Sequence, residues 1–217
     1  MLYQDLSNSL PVHPTKRAKE RKLESIKQIV VHCTDWNISP EDLTKYDLGP
    51  NHISSTGCPT CTYHYLVGKD GTVSKAVDPK YVTWHAGIHN NSSVSIALLY
   101  KTDPVFESGK TSIPKPECIP PINMMNALGE ILTQLCLELK IEPTQVFGHR
   151  EMIDTGWFWS KGHKVLRKTC PGMAVNMPAL RDQTIREVQQ VLKDKNLYLG
   201  SIDGDWGPRS QRAFKAL

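Results

Sequence analysis

The spacing of apolar positions changes several times along the chain. Residues 26–33 (IKQIVVHC) form a short β-branched run, the pattern of a buried strand. Residues 62–68 (TYHYLVG) and 72–77 (TVSKAV) predict two more strands, and Lys69-Asp70-Gly71 between them predicts a hairpin turn. Residues 94–100 (VSIALLY) make another apolar strand, and residues 145–148 (QVFG) a last short one that leads into His149. From Ile122 the period changes. Met125, Leu128, Leu132, Leu135 and Leu139 fall on one helical face, so a helix is expected to bury that face and stop before Pro143. Strands mixed with a long helix indicate an α/β layer fold.

The intervening stretches are polar or rich in turn residues. Residues 1–25 carry Pro11 and Pro14 and read as an N-terminal arm with one helical turn at most. Residues 35–60 hold Pro40, Gly49, Pro50 and Gly57 and read as irregular, and residues 101–121 read as a loop. Near Met177 the texture changes again. Pro178 opens a helix running through residues 184–193, residues 196–207 are turn-rich, and residues 208–216 form a final short helix. Residues 178–217 are thus expected to be a small helical module, too small for a good core of its own and docked on a domain spanning 26–177.

Composition narrows this picture. A length of 217 residues suits one full domain with a small appendage, and 39% hydrophobic with 22% charged residues is the globular norm. No apolar run approaches the roughly 20 residues that span a bilayer, so no membrane insertion is expected. The first residues lack a charged tip followed by an apolar stretch, so no secretory signal is expected and synthesis in a cytosol is. Six cysteines in so long a chain do not suggest a disulfide scaffold; they read as thiols or metal ligands. The net charge of +4 suits an anionic partner (nucleic acid, wall polymer or membrane surface) and selects none. The basic run at residues 16–22 reads as a solvated arm.

Chemistry concentrates at a few positions. His32 ends a strand, His149 follows another, and Cys170 lies in Lys168-Thr169-Cys170-Pro171-Gly172. Two imidazoles and a thiolate would make a three-ligand zinc set with a fourth position open to water. From spacing alone, hydrogen-bonded structural histidines are the competing reading. Cys58 and Cys61 form CPTC, which precedes a strand rather than a helix and so reads as plain thiols. Cys136 falls on the helix's apolar side and is expected in the core. His64 neighbours Tyr63 and is expected on the opposite face of their strand, away from the chemistry.

Five motifs occur in order: Ile29-Val30-Val31-His32-Cys33-Thr34; Tyr63-His64-Tyr65-Leu66-Val67 running into Asp70-Gly71-Thr72-Val73; Trp84-His85-Ala86-Gly87; Phe147-Gly148-His149-Arg150-Glu151; and Lys168-Thr169-Cys170-Pro171-Gly172. Together they resemble the type 2 N-acetylmuramoyl-L-alanine amidases, the family shared by phage endolysins and peptidoglycan recognition proteins. The resemblance covers roughly residues 26–173. It implies a mixed central β-sheet flanked by helices, and one zinc ion per chain held by His32, His149 and Cys170. It also implies Tyr63 and Lys168 as the catalytic pair and His85 beside the cleft as a substrate contact. Residues 185–214, with an Asp203-Gly204-Asp205-Trp206-Gly207 turn, resemble the helical peptidoglycan-binding module found beside many wall hydrolases.

Two departures from the family pattern stand out. Where some members place a glutamate general base, this chain has Leu99, which moves weight onto Tyr63. The segment between His149 and Lys168 is also longer than usual and carries Trp157, Phe158 and Trp159. Trp157 and Trp159 are candidates for a wall that stacks on substrate, with packing of the insertion as the alternative. The resemblance therefore implies a zinc amidase acting on peptidoglycan, a phage endolysin that accumulates in the host cytoplasm and reaches the wall after membrane permeabilisation. A monomer with no nucleic-acid partner is expected. A non-catalytic peptidoglycan receptor and a cytosolic enzyme recycling muropeptides are the alternatives.

Overall fold

The computed structural model describes residues 2–152 and 169–217, together with the backbone of 157–160 and 163–166. Six strands form one mixed sheet: β1 (Leu2–Asp5), β2 (Gln28–Cys33), β3 (Tyr65–Val67), β4 (Thr72–Lys75), β5 (Ser93–Leu98) and β6 (Val146–Gly148), in the order β1-β4-β3-β5-β2-β6. The hairpin pair β3 and β4 is antiparallel, and every other neighbouring pair is parallel. The helices are α1 (Pro40–Leu48), the one-turn α2 (Pro104–Glu107), α3 (Ile122–Leu139), α4 (Met177–Asp194) and α5 (Pro208–Lys215). A separate antiparallel pair, β7 (Trp157–Ser160) and β8 (His163–Leu166), forms from the long insertion. No described helix is long and apolar enough to cross a membrane.

Period-two alternation divides the sheet into two faces. Ile29 and Val31 of β2, Tyr65 and Val67 of β3, and Val94, Ile96 and Leu98 of β5 join a buried cluster with Leu128, Ile131, Leu132 and Leu135 of α3. Their neighbours point the other way: Leu66, Ala97 and Leu99 pack with Leu10, Leu43 and Cys61. His32 of β2 and Ser93 and Ser95 of β5 alternate onto this second side and are buried there. A fully buried polar row on one sheet face is the feature that locates the chemistry.

Several elements differ from the sequence expectation, among them the one-turn α2 within residues 101–121 and the pair β7 and β8. Residues 2–5 of the expected arm are an edge strand, paired in parallel with β4. Residues 40–48, expected to be irregular, form α1, capped by Ser39, whose side chain accepts from the Asp42 N–H at 3.1 Å. Pro40 at the first helical position and Glu41 and Asp42 in the first turn favour that start. The basic run is not wholly solvated either. Arg21 is drawn inward, donating to the carbonyls of Pro79, Asn90 and Ser93 at 2.8, 2.9 and 2.7 Å. Burial lowers its pKa to about 10, which leaves it charged at neutral pH.

The C-terminal helices share the core of the sheet. Leu180, Ile185, Val188 and Leu192 of α4, with Tyr198, Trp206, Ala213 and Phe214 beyond it, belong to the same buried cluster as Ile96 and Leu128. Gly129 of α3 permits close approach, since a Cβ there would lie 2.8 Å from Gln183 Nε2, and Thr133 donates to Glu187 across the same seam at 2.6 Å. The turn after α4 is organised by buried Gln189, which donates to Asp203, to the Asp205 carbonyl and to Ser210, and accepts from the Asp203 and Gly204 N–H groups. Gly204 has φ +78°, a left-handed conformation that glycine adopts without strain. Ending the chain at residue 176 would expose the α3 face that α4 covers. The expected result is loss of a cooperative thermal transition, followed by circular dichroism; an unchanged midpoint would show that α4 is a dispensable appendage.

Candidate active site

The buried polar row opens into a cavity of about 850 Å³ at the carboxyl ends of β2 and β5. Its lining includes His32, Cys33, Tyr63, His85, His149 and Cys170, with Trp36, Tyr46 and Trp84 near the mouth. The ligand atoms of His32, His149 and Cys170 lie within 4.8 Å of one another. Three elements supply them: the end of β2, the turn after β6, and the loop before α4. Parallel pairing of β2 with both β5 and β6 brings the two histidine-bearing strand ends side by side.

The Cys170 loop is held by its neighbours. Arg150 donates to the carbonyls of Gly172 and Val175 at 2.7 and 2.6 Å, and its N–H donates to the Cys170 carbonyl at 2.8 Å. Tyr100 donates its hydroxyl to the Pro171 carbonyl at 2.7 Å. Gly172, at φ +100°, sits so close to Tyr100 that a Cβ would lie 2.1 Å from its hydroxyl. Gly148 is equally confined, since a Cβ there would meet Pro171 at 2.9 Å. Below the loop, Arg181 of α4 grips Glu151 with two hydrogen bonds of 2.7 and 2.9 Å, while Glu151 accepts from the Gly148 N–H.

Hydrogen-bond direction fixes how His32 presents itself. Ser93 commits its hydroxyl proton to the His89 carbonyl at 2.7 Å, so at 3.1 Å it accepts from His85 Nε2–H. His85 Nδ1 is then the acceptor for His32 Nε2–H at 3.0 Å. The remaining nitrogen of His32, Nδ1, faces the Cys170 sulfur at 3.7 Å and is the one a metal could take. The loop carrying His85 is fixed in turn by Asn90, whose side-chain oxygen accepts from the His85 and Ala86 N–H groups. Burial, and then the neighbouring charges of His32, His64, His149 and Arg21, hold the His85 pKa well below the ordinary value, so it stays neutral.

The cysteine is set up as a ligand. Burial alone would raise its pKa, but a hydrogen bond from Cys33, the charge of His32, and hydrogen bonds with His149 and His32 outweigh it. The net direction is well below the ordinary thiol value, which makes Cys170 a thiolate, the form that binds metal. Cys33 shifts the opposite way, raised by its hydrogen bond to Cys170 and by burial, so it keeps its proton.

Tyr63 stands beside this group, its ring 5.1 Å from that of His32, and packs against the apolar cluster that contains Leu99. Burial and then the Cys170 charge raise its pKa well above the ordinary value, so in the absence of metal the phenol is protonated. The Cys61–Tyr63 segment is anchored by Asp47 of α1, which accepts from the Thr62 N–H at 2.8 Å and hydroxyl at 2.9 Å. Asp47 escaped the sequence reading together with its helix, although the Ser39-Pro40-Glu41-Asp42 cap was a usable signal. His64 does not point away from the chemistry as expected. Strand pairing begins only at Tyr65, and His64 lies beneath His85 with ring centroids 6.1 Å apart. There its Nδ1 accepts from the Ser95 N–H, and its Nε2 lies 2.9 Å from the Tyr81 carbonyl and 3.0 Å from the Arg21 guanidinium, with the pKa lowered to about 3 by burial and then by the Arg21 charge.

Structure therefore gathers His32, Tyr63, His85, His149 and Cys170 in one cavity. His85, expected at the substrate, is largely occupied in orienting His32. Lys168 lies outside the described residues, as do the side chains of Trp157 and Trp159. The backbones of these two tryptophans pair in register with Leu166 and Lys164. Cys58, Cys61 and Cys136 are buried free thiols.

Two outcomes follow from this geometry. Removing the acceptor of His32 Nε2–H in His85→Ala should weaken zinc binding by roughly 10–100-fold, read by competition with a chromophoric chelator; unchanged affinity would contradict the orienting role. Burial favours protonating Glu151, but Arg181 and the Gly148 N–H outweigh it and lower its pKa. A carboxylate depressed in the fold contributes stability above its unfolded pKa of about 4.3 and loses it as pH falls through the folded value. Acid unfolding in that window should therefore be shallower in Arg181→Met than in the parent; parallel curves would mean the pair contributes nothing.

Residues 22–173 match the N-acetylmuramoyl-L-alanine amidase family. No curated protein matches the chain. Among solved structures, it is similar to the Ph2119 endolysin from Thermus scotoductus MAT2119 bacteriophage Ph2119 (19% identity, 84% of this chain and 98% of that one, TM-score 0.58). It is also similar to the N-acetylmuramoyl-L-alanine amidase LysC from Clostridium intestinale URNW (16%, 82% and 94%, TM-score 0.54). A third likeness is to drosophila peptidoglycan recognition protein SD (19%, 80% and 89%, TM-score 0.54). At such identities these likenesses establish a shared fold. With most of its length matched, including both histidines and the cysteine of the cavity, the chain belongs to the N-acetylmuramoyl-L-alanine amidase family.

Proposed function

We propose that the chain is a zinc-dependent hydrolase of the amide bond between the lactyl group of N-acetylmuramic acid and L-alanine in peptidoglycan. One observation carries this reading: two histidines and a cysteine converge in a solvent-reached cavity with the phenol of Tyr63 beside them. The donor set fits zinc, since it combines a soft anionic sulfur with two imidazoles, one of them held in the tautomer that offers a lone pair. Three protein donors also leave room for a fourth group, the arrangement of catalytic rather than structural sites.

When bound, zinc would polarise the scissile carbonyl and lower the pKa of a water molecule towards about 7. The chain's own residues complete the chemistry. His85 and Ser93 keep His32 from rotating, and the Arg150-held loop keeps Cys170 in place. Tyr63 is the proton-handling group of the cavity and takes the place of the carboxylate that Leu99 does not provide. Lys168, two residues before Cys170, is proposed to bring positive charge to the oxygen on which charge develops. The phage origin and the wall-anchoring role of residues 178–217 belong to the same proposal, supported by the family match and by the Asp-Gly and Trp-Gly turn of the tail.

The test is mass spectrometry of digested peptidoglycan. A new L-alanine amine with intact glycan strands is the expected product, and cut strands would assign a different bond. Tyr63→Phe should retain about one zinc per chain yet lose roughly 10²–10⁴-fold in turnover, whereas Cys170→Ala should lose the metal itself. A chain that binds muropeptide but releases no amine would be a receptor.

A further inference from the structure

Cys33 has no part in the hydrolytic scheme, yet it adjoins the sulfur on which that scheme depends. It ends β2 one residue after His32, lines the same cavity and is not fully buried. Its N–H donates to Cys170 Sγ at 3.2 Å, and its carbonyl oxygen lies 4.0 Å from the same atom. The Cα of Cys33, between those two groups, is thus brought up against the Cys170 sulfur. Disulfides require neighbouring Cα atoms and sulfurs that can meet without backbone movement, and a sulfur held on the other cysteine's own backbone N–H is placed for that approach.

We propose that Cys33 and Cys170 are a reversible dithiol modification site, which closes to a disulfide when the metal is absent and a low-molecular-weight disulfide such as oxidised glutathione enters the cavity. The Cys170 thiolate attacks one sulfur of the reagent, forming a mixed disulfide and releasing one glutathione thiolate. Cys33 then gives up its proton to solvent, attacks the Cys170 sulfur and expels the second glutathione thiolate, which solvent protonates. In sum, two protein thiols are oxidised and one reagent disulfide is reduced to two thiols. The closed form has lost one of the three donors, so it cannot take up zinc. Bound zinc holds the Cys170 sulfur and protects the pair. The buried Cys58, Cys61, Cys118 and Cys136 lack this access.

The experiment uses the full chain, stripped of metal, incubated with oxidised glutathione, alkylated, digested without reductant and read by mass spectrometry. The expected product is an intact chain lighter by two hydrogens, with one cross-linked peptide joining Cys33 to Cys170. Zinc uptake should fall from about one ion per chain to near zero and return after a thiol reductant. Zinc-loaded protein should stay reduced under the same treatment, and Cys33→Ser should stop at the glutathione adduct of Cys170. A cross-link at Cys58–Cys61 instead, or no cross-link at all, would overturn the proposal. So would a Cys33–Cys170 link that forms equally fast with zinc bound. Cross-link mapping requires no substrate, so a failure here is distinguishable from a failure of the amidase reading.

Discussion

An imidazole can serve a metal well only if its second nitrogen is already committed, and the whole site rests on that commitment at His32. The chain of donors runs one way, from His32 through His85 and Ser93 to the His89 carbonyl, and it can run only that way because the carbonyl has no proton to give. His32, His85 and Ser93 are buried, so reversing the direction would leave a polar group unpaired in a dry interior, at a cost of about 1–3 kcal/mol. The tautomer of His32 on β2 is thus decided by a serine on β5. Sheet register makes the link, since Ser93 pairs beside Gln28 at the start of β2 and the strands then run together to His32 and Ala97.

The same logic explains why apparently peripheral residues are built into the site. Arg21 carries a charge into the protein, which is tolerated because backbone carbonyls surround the guanidinium. Those carbonyls belong to the segment that presents His85 and Asn90, so the N-terminal arm braces the hydrogen-bond chain that orients His32. At the other end of the chain, Arg181 of α4 fastens Glu151 beneath the His149 turn. The family match ends at residue 173, but the physical domain continues through α4, which covers one side of α3.

Much of this architecture was legible in the sequence, for identifiable reasons. The central strands announce themselves because Ile29, Val30, Val31, Val94, Ile96 and Leu98 are buried on a sheet covered on both sides. The α3 face is equally plain. Strand β1 was not legible because all four of its residues are exposed at an edge and show no alternation. Helix α1 buries only Leu43 among its apolar residues, so only its cap marked it. The grouping of His32, His149 and Cys170 became readable through five ordered motifs, since their separation along the chain says nothing about distance. Hydrogen-bond direction, the inward turn of Arg21 and the placement of His64 depend on tertiary contacts that no local pattern encodes.

The central claim is that His32, His149 and Cys170 hold one divalent ion with a position left open. X-ray absorption at the zinc edge of the purified, zinc-loaded chain measures this directly. The account predicts one sulfur at about 2.3 Å and two imidazole nitrogens at about 2.0–2.1 Å, with one further light atom. A shell without sulfur, or one with two or more sulfurs and no open position, would contradict it.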